Sequence, residues 1–150
     1  MHWLLKSFFH LTTDELYALL RLRNEVFIVE QNCPFPDLDG KDQPSHHLLG
    51  FDEAKGTLLA YTRLVPPGVA YGYPSIGRVV TAAEARGTGV GRELMRRSIL
   101  EITRLYGPGS IQIGAQLYLS NFYESFGFSQ SGEGYLEDGI EHIPMVRHGS

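Results

Sequence analysis

The stretch of this chain best equipped for chemistry is residues 79–91, Val-Val-Thr-Ala-Ala-Glu-Ala-Arg-Gly-Thr-Gly-Val-Gly. It reads as an apolar strand, a short turn, a loop with Gly87, Gly89 and Gly91 at alternate positions, and a helix start. Glycine has no Cβ, so backbone N–H groups in such a loop can converge on one bound group. They also sit at the positive end of the helix dipole. The chemistry this allows is anion binding, above all of phosphate. The plain alternative is a tight strand-to-helix turn, and the glycines alone do not separate the two. Charge favours a ligand. Arg86, Arg92, Arg96, Arg97 and Arg104 are half of the ten arginines and face only Glu93 and Glu101 in that segment. A basic helix start suits a ligand with several phosphates, although Arg97 and Arg104 also fit a solvated helix face. Neither common nucleotide loop is matched. There is no Gly-Lys-Ser/Thr, and Gly87-x-Gly89-x-Gly91 is not Gly-x-Gly-x-x-Gly.

The elements that must position this loop follow from pattern and punctuation. Thr12-x-x-Glu15 is a capping box. Leu16, Leu19, Leu20, Arg23 and Phe27 then fall at helical spacing, an apolar face interrupted by Arg23, and the helix fades near Val29-Glu30. Residues 32–46 hold Pro34, Pro36 and Pro44 with Asp37, Asp39 and Asp42, which predicts a long ordered loop. His47–Asp52 and Thr57–Val65 flank Glu53-Ala54-Lys55-Gly56 and predict an antiparallel hairpin. Ser75–Thr81 is the next strand, with Gly77 marking a bulge or a close backbone approach. Residues 86–106 predict the strongest helix, ended by Gly107-Pro108-Gly109. Ile111–Ala115 is a strand, and about Ser120–Phe126 a short helix. A tail hairpin runs from Gln130–Leu136 to Ile140–Val146 around Asp138-Gly139, with Pro144 placing its last strand at an edge or bulge. This order predicts an α+β (mixed α/β) fold, a sheet with helices on its faces.

Composition sets the outer bounds. One hundred and fifty residues, 43% hydrophobic and 20% charged, are expected to make one globular domain, residues 1–150. The net charge of −4 argues against a general nucleic-acid binder. No apolar run approaches the roughly 20 residues of a membrane span, and the N-terminus is too mixed for a signal peptide. Cys33 is the single cysteine, which excludes an internal disulfide and a Cys-based zinc site and suits a reducing, cytoplasmic setting. Asp37-x-Asp39-Gly40-x-Asp42 lacks the EF-hand spacing. His46 and His47 would point to opposite strand faces. No metal site is expected. Acidic residues gather around the long loop (Glu30, Asp37, Asp39, Asp42) and in the tail (Glu133, Glu137, Asp138, Glu141). They would attract a cationic amine if they face an acceptor site, or simply be solvated.

Two motifs together carry a family resemblance. Arg86-Gly87-Thr88-Gly89-Val90-Gly91 resembles the Arg/Gln-x-x-Gly-x-Gly/Ala loop of the GNAT (Gcn5-related) N-acetyltransferases. About 30 residues on, Tyr123-Glu124-Ser125-Phe126-Gly127-Phe128 resembles the Tyr-x-x-x-Gly-Phe segment of that family. The likeness spans roughly residues 5–146. Leu22–Gln31, Asp37–Asp42, His46-His47-Leu48, Ser75–Val80 and Glu137–Met145 resemble the ElaA-like branch in particular. The resemblance implies a GNAT-like acyl-CoA N-acyltransferase fold: a central, mostly antiparallel, twisted sheet flanked by helices. It implies acetyl-CoA as cosubstrate and a primary amine, of a small molecule or a protein, as acceptor. The same fold could also serve as a non-catalytic acyl-CoA sensor. A homodimer is compatible with it.

The resemblance also implies roles. Val79, Val80 and Thr81 would offer backbone groups to the pantetheine arm. Arg86, Gly87, Thr88, Gly89, Val90, Gly91 and Arg92 would supply N–H groups to the pyrophosphate. Tyr123 would protonate or steady the departing thiolate, its plain alternative being an aromatic packing residue. Relatives carry an asparagine on the pantetheine where this chain has Gln116. Gln116 could make the same contact with a longer arm, and Asn121 competes for the role. The general base stays open among Glu30, His46, His47, Glu137, Asp138 and His142, each of which also reads as an ordinary structural residue. Cys33 lacks an evident histidine partner and reads as a structural thiol.

Overall fold

Thr12 opens the first helix through local hydrogen bonds alone. In the computed structural model, which describes residues 1–149, the Glu15 N–H donates to Thr12 Oγ1 (3.1 Å) and the Thr12 N–H donates to Glu15 Oε1 (2.8 Å), a complete capping box. Helix α1 spans Thr13–Arg23 and continues as a wider π-helical turn over Asn24–Glu30. The predicted hairpin is β2 (His46–Phe51) and β3 (Leu58–Val65), and β4 spans Ser75–Thr81. Helix α2 spans Val90–Tyr106, four residues shorter than expected. The left-handed backbone of Gly87 and Gly89 keeps residues 86–89 out of the helix. Strand β5 (Ile111–Gln116), helix α3 (Ser120–Glu124) and strands β6 (Phe128–Gln130), β7 (Tyr135–Glu137) and β8 (Ile140–Arg147) complete the chain.

The sequence reading missed β1, His2–Ser7. It pairs antiparallel with β2, and a Cβ on Gly50 would lie 2.6 Å from the Trp3 ring, so the partner strand leaves room for that indole. Among the described residues the strands form one sheet in the order β1-β2-β3-β4-β5-β8-β6, with β7 beside β8. Every pairing is antiparallel except β4 with β5. Pro144 does not mark an edge. Strand β8 is interior, and its proline falls in the gap where β6 has ended and β7 has not begun. The missing N–H therefore costs no ladder bond.

Alternation along β3 divides the core between the two faces. Tyr61 joins Leu19 and Leu22 of α1. Ala60 and Leu64 face α2, against Leu94 and Met95. Thr62 on that face meets Ser98 of α2, hydroxyl to hydroxyl at 2.8 Å. The sheet thus separates α1 from α2.

Two arginines on apolar patterns need buried partners, and the long loop supplies them. Arg23 is fully buried and Arg63 nearly so. Arg23 donates to Asp37 Oδ2 (2.7 Å) and Asp42 Oδ1 (2.8 Å), and Arg63 to Asp39 (2.8 Å) and Asp42 (2.9 Å). Arg78 adds Nε to Asp37 Oδ1 and Nη2 to the Asp37 carbonyl, both 2.8 Å. The expectation that Asp37, Asp39 and Asp42 form an acidic lure or a solvated group is corrected. Their charges are spent on three arginines, and they pin residues 37–42 to the sheet. Burial alone would raise the pKa of Asp42, but the hydrogen bonds and charges of Arg23 and Arg63 outweigh it and hold it below the usual carboxylate range. Asp39 is held down in the same way, by Arg63, the Lys41 N–H and Arg78 against burial.

A bulge in β4 belongs to this cluster. Tyr61 pairs with Val80 but Arg63 with Gly77, so Arg78 and Val79 together face Thr62. The left-handed residue is Arg78 (φ +51°), not the neighbouring glycine. Its bonds to Asp37 offset a backbone cost of about 1–2 kcal/mol.

Two outcomes are expected. Asp42→Asn should lower stability at neutral pH by about 3–5 kcal/mol, because it breaks a buried pair. Folded Asp39 and Asp42 titrate below their unfolded values. Their contribution is therefore complete above about pH 5 and lost as the pH falls below it. Denaturant titrations from pH 7 to 3 should show a shallower acid decline in Asp42→Asn than in wild type. Arg78→Gly should be less destabilising than Arg78→Ala by about 1 kcal/mol, since only glycine takes the left-handed backbone freely. Equal losses in paired melts would place the cost elsewhere.

Candidate active site

Strands β4 and β5 touch at one register pair, Ser75 with Gln112, where the Gln112 N–H donates to the Pro74 carbonyl (3.1 Å). Beyond it they diverge, and a cleft of about 730 Å³ opens between them. One wall is Ile76–Thr81 of β4. The other includes Ile113, Gly114 and Gln116 of β5. Val79, Val80, Thr81, Gln116 and Tyr123, expected at the site, all line this cleft, as does Arg86 at its end.

The glycine loop continues from that end into solvent. Gly87 (φ +77°) and Gly89 (φ +85°) adopt the left-handed backbone, and a Cβ on either would meet open space. The glycines are needed for the turn, and they leave the approach to the N–H groups clear. Gly89 caps α2, and the first bond within the helix is the Glu93 N–H to the Gly89 carbonyl (3.2 Å). The N–H groups of Gly89, Val90, Gly91 and Arg92 therefore precede the helical ladder and are free for a ligand. Thr88 turns its hydroxyl back to the Ala85 carbonyl and steadies the loop. This donor set fits a pyrophosphate.

The side chains around it are less basic than the sequence suggests. Arg96 and Arg97 both bind Glu93, whose carboxyl the Arg96 hydrogen bond, with Arg97, lowers to about 2. Arg104 pairs with Glu101. Arg86 forms a two-pronged pair with Glu30 (2.5 and 2.9 Å). Arg92 lies over the Phe126 ring at 4.7 Å and donates to Ser125 Oγ (3.2 Å). Only Arg86 and Arg92 flank the loop.

Tyr123 bridges the core and the cleft. Its ring packs edge-on against Phe122 and Phe128, with centroids at 5.3 and 6.2 Å. Burial pushes the phenol well above its ordinary pKa, so it stays protonated. Among the described residues its hydroxyl has no hydrogen-bond partner. Gln116 faces Gln31 across the cleft, each amide nitrogen 3.4 Å from the other's oxygen. Asn121 sits apart from Gln116. It lies on the exposed side of α3 and is not in the cleft lining, whereas Gln116 is.

The base candidates separate by their partners. His47 is fully buried, with Nε2 donating to the Asp42 carbonyl (2.9 Å) and Nδ1 against the Tyr61 hydroxyl (2.7 Å). Burial keeps it neutral, and neither nitrogen is available. His46 meets Tyr106, away from the cleft. Glu30 is taken by Arg86. Glu137, Asp138 and His142 line the cleft. Cys33 lines it too and donates to the Asp138 carbonyl (3.4 Å).

Several participants were not found from sequence. Gln31 gave no signal beyond its neighbours. Arg78 could have been suspected as a charge within an apolar strand. Gly114 is explained by Tyr135 and Tyr71, whose hydroxyls would lie 2.5 and 3.0 Å from a Cβ placed there. Both phenols are pushed up by burial, Tyr135 to about 12.

Comparison with known proteins agrees with this geometry. The family model described as an acetyltransferase (GNAT) domain matches residues 41–148. Protein ElaA of Escherichia coli is 42% identical over 139 residues, 91% of this chain and 90% of that one. An acyl-CoA N-acyltransferase from Pseudomonas aeruginosa superposes with a TM-score of 0.91 at 43% identity, covering 98% of this chain and 99% of the other. The crystal structure of E. coli ElaA gives 0.90 at 40% identity, with the same coverage. The chain therefore belongs to the GNAT acetyltransferase family, as a member of its ElaA-like branch.

Proposed function

We propose that the protein transfers an acetyl group from acetyl-CoA to a primary amine of a small molecule or protein, by direct attack within the β4–β5 cleft. The observation that carries this reading is continuity. One cleft holds an unpaired strand edge and a neutral tyrosine hydroxyl without a partner, and from Arg86 in its lining the chain leads directly to the free N–H groups at the start of α2. Acetyl-CoA supplies an activated thioester. The chain's residues bind and orient it and place a proton.

The N–H groups of residues 87–92 hold the pyrophosphate, with Arg86 and Arg92 beside them. Val79, Val80 and Thr81 offer backbone groups along β4, where β5 has turned away. Gln116 contacts the pantetheine arm once its amide leaves Gln31. Tyr123 donates its proton to the departing sulfur. Burial keeps the phenol protonated, so the proton is in place for transfer or for a hydrogen bond to the sulfur. The free thiol of Cys33 is consistent with a cytoplasmic setting.

Two measurements test the reading. Acetyl-CoA at 100 times its Kd should stabilise the protein by about 2.7 kcal/mol, read as a rise in Tm. Gly89→Ala should lose most of that rise, since a Cβ there strains the backbone and enters the approach to the N–H groups. No rise in the wild type would sink the proposal. Tyr123→Phe should retain the rise yet lower thiol release with a panel of primary amines by about 10²-fold or more. A wild type that binds acetyl-CoA but is silent across that panel would point to the acyl-CoA sensor instead.

A further inference from the structure

We infer that His142 is the general base of this site, taking the proton from the acceptor amine at its Nε2. The inference rests on the acetyl-transfer reading above and names the residue that completes it.

Strand register puts the ring at the cleft beside Gln116. His142 on β8 stands directly opposite Gln116 on β5, so both side chains leave the same face of the sheet. On its other side it stands opposite Tyr135 on β7. The two rings stack, with centroids at 5.6 Å and planes 21° apart. Tyr135 is itself held over Gly114. The imidazole is thus buried on one face, 7% exposed overall, and still lines the cleft.

Its hydrogen bonding decides which nitrogen can act. Nδ1 lies 2.7 Å from the Ile140 carbonyl. A carbonyl only accepts, so Nδ1 carries a proton. In the neutral ring Nε2 therefore holds the lone pair. Its one charged neighbour is Glu137 Oε2 at 3.6 Å, too long for a hydrogen bond, so the lone pair is not spent on a protein donor. The other titratable groups around it are Asp138 in the turn and Cys33 from the segment after the π-helical turn, both lining the cleft, and the phenols of Tyr135, stacked on the ring, and Tyr71 beside it. Arg78 and Lys41 line the same cleft, and Arg78 is committed to Asp37. His47 shows the contrast, with both of its nitrogens spent.

The step balances with these groups alone. The amine nitrogen attacks the thioester carbonyl carbon, a C–N bond forms, and the C–S bond breaks with its electron pair leaving on sulfur. His142 Nε2 takes one proton from nitrogen and Tyr123 gives one to sulfur. Exchange with solvent returns imidazolium to imidazole and phenolate to phenol, so one proton has passed from nitrogen to sulfur overall.

Two readouts test it in the full chain. Nitrogen-15 NMR of the histidine rings reads the tautomer without reference to any acceptor. The neutral His142 ring is expected to carry its proton on Nδ1, and an Nε2–H tautomer would overturn the assignment. In the amine panel, His142→Gln should lower kcat/KM at neutral pH by about 10²–10⁴-fold, with the deficit shrinking at high pH, where bulk solvent deprotonates the amine. The Tm rise with acetyl-CoA should be unchanged. A loss below about threefold, or an equal loss of the acetyl-CoA response, would remove His142 from the chemistry while leaving acetyl transfer intact. A wild type silent across the panel would overturn the transfer reading and the base with it.

Discussion

One strand contact governs the site. β4 and β5 are the only parallel neighbours among the described strands, and they share a single register pair. A parallel pair needs a crossover connection, and α2 is that connection. Had the two strands stayed together, each backbone group along β4 would be spent on β5. Because they part after Ser75, the edge of β4 toward β5 is left with donors and acceptors that must find partners elsewhere. The cleft, the helix start at one end and Tyr123 beside it are all consequences of that divergence.

The loops finish what the sheet begins. The bulge at Arg78 turns one side chain of β4 onto the Asp37 loop, and the same loop neutralises two buried arginines. Segment 30–33 then reaches three parts of the cleft: Glu30 to Arg86, Gln31 to Gln116 and Cys33 to Asp138. The acidic excess of the chain is therefore distributed differently from its linear order. The carboxylates of residues 37–42 serve structure. Glu137 and Asp138 are the acidic groups of the cleft without an arginine partner.

Much of this was legible in the sequence because it is local. Capping at Thr12, the hairpin around Gly56 and the glycine-opened helix each depend on residues a few positions apart. The two motifs near Gly89 and Tyr123 identify the family, and Val79–Thr81, Gln116 and Tyr123 do meet in one cleft. What escaped was non-local. β1 is short and shows little alternation, and it becomes a strand through pairing with β2. Pro144 signals an edge only if β6 and β7 are taken as one strand. The role of Asp42 depends on Arg23 and Arg63, 19 and 21 positions away, and no spacing rule links them. His142 stood among six candidates, and its neighbours Gln116 and Tyr135 reach it only through strand pairing.

The buried ionic cluster also has a thermal consequence. Three arginines and three aspartates, all within the α1–β3–β4 junction, owe their cost to lost hydration. The hydration of charged groups becomes less favourable on heating, whereas the stabilisation per unit of apolar area levels off. The clasp on residues 37–42 should thus hold relatively better as the temperature rises. In a warming molecule this loop would be among the last parts to loosen, and the α2 start, with its solvent-facing glycines, among the first.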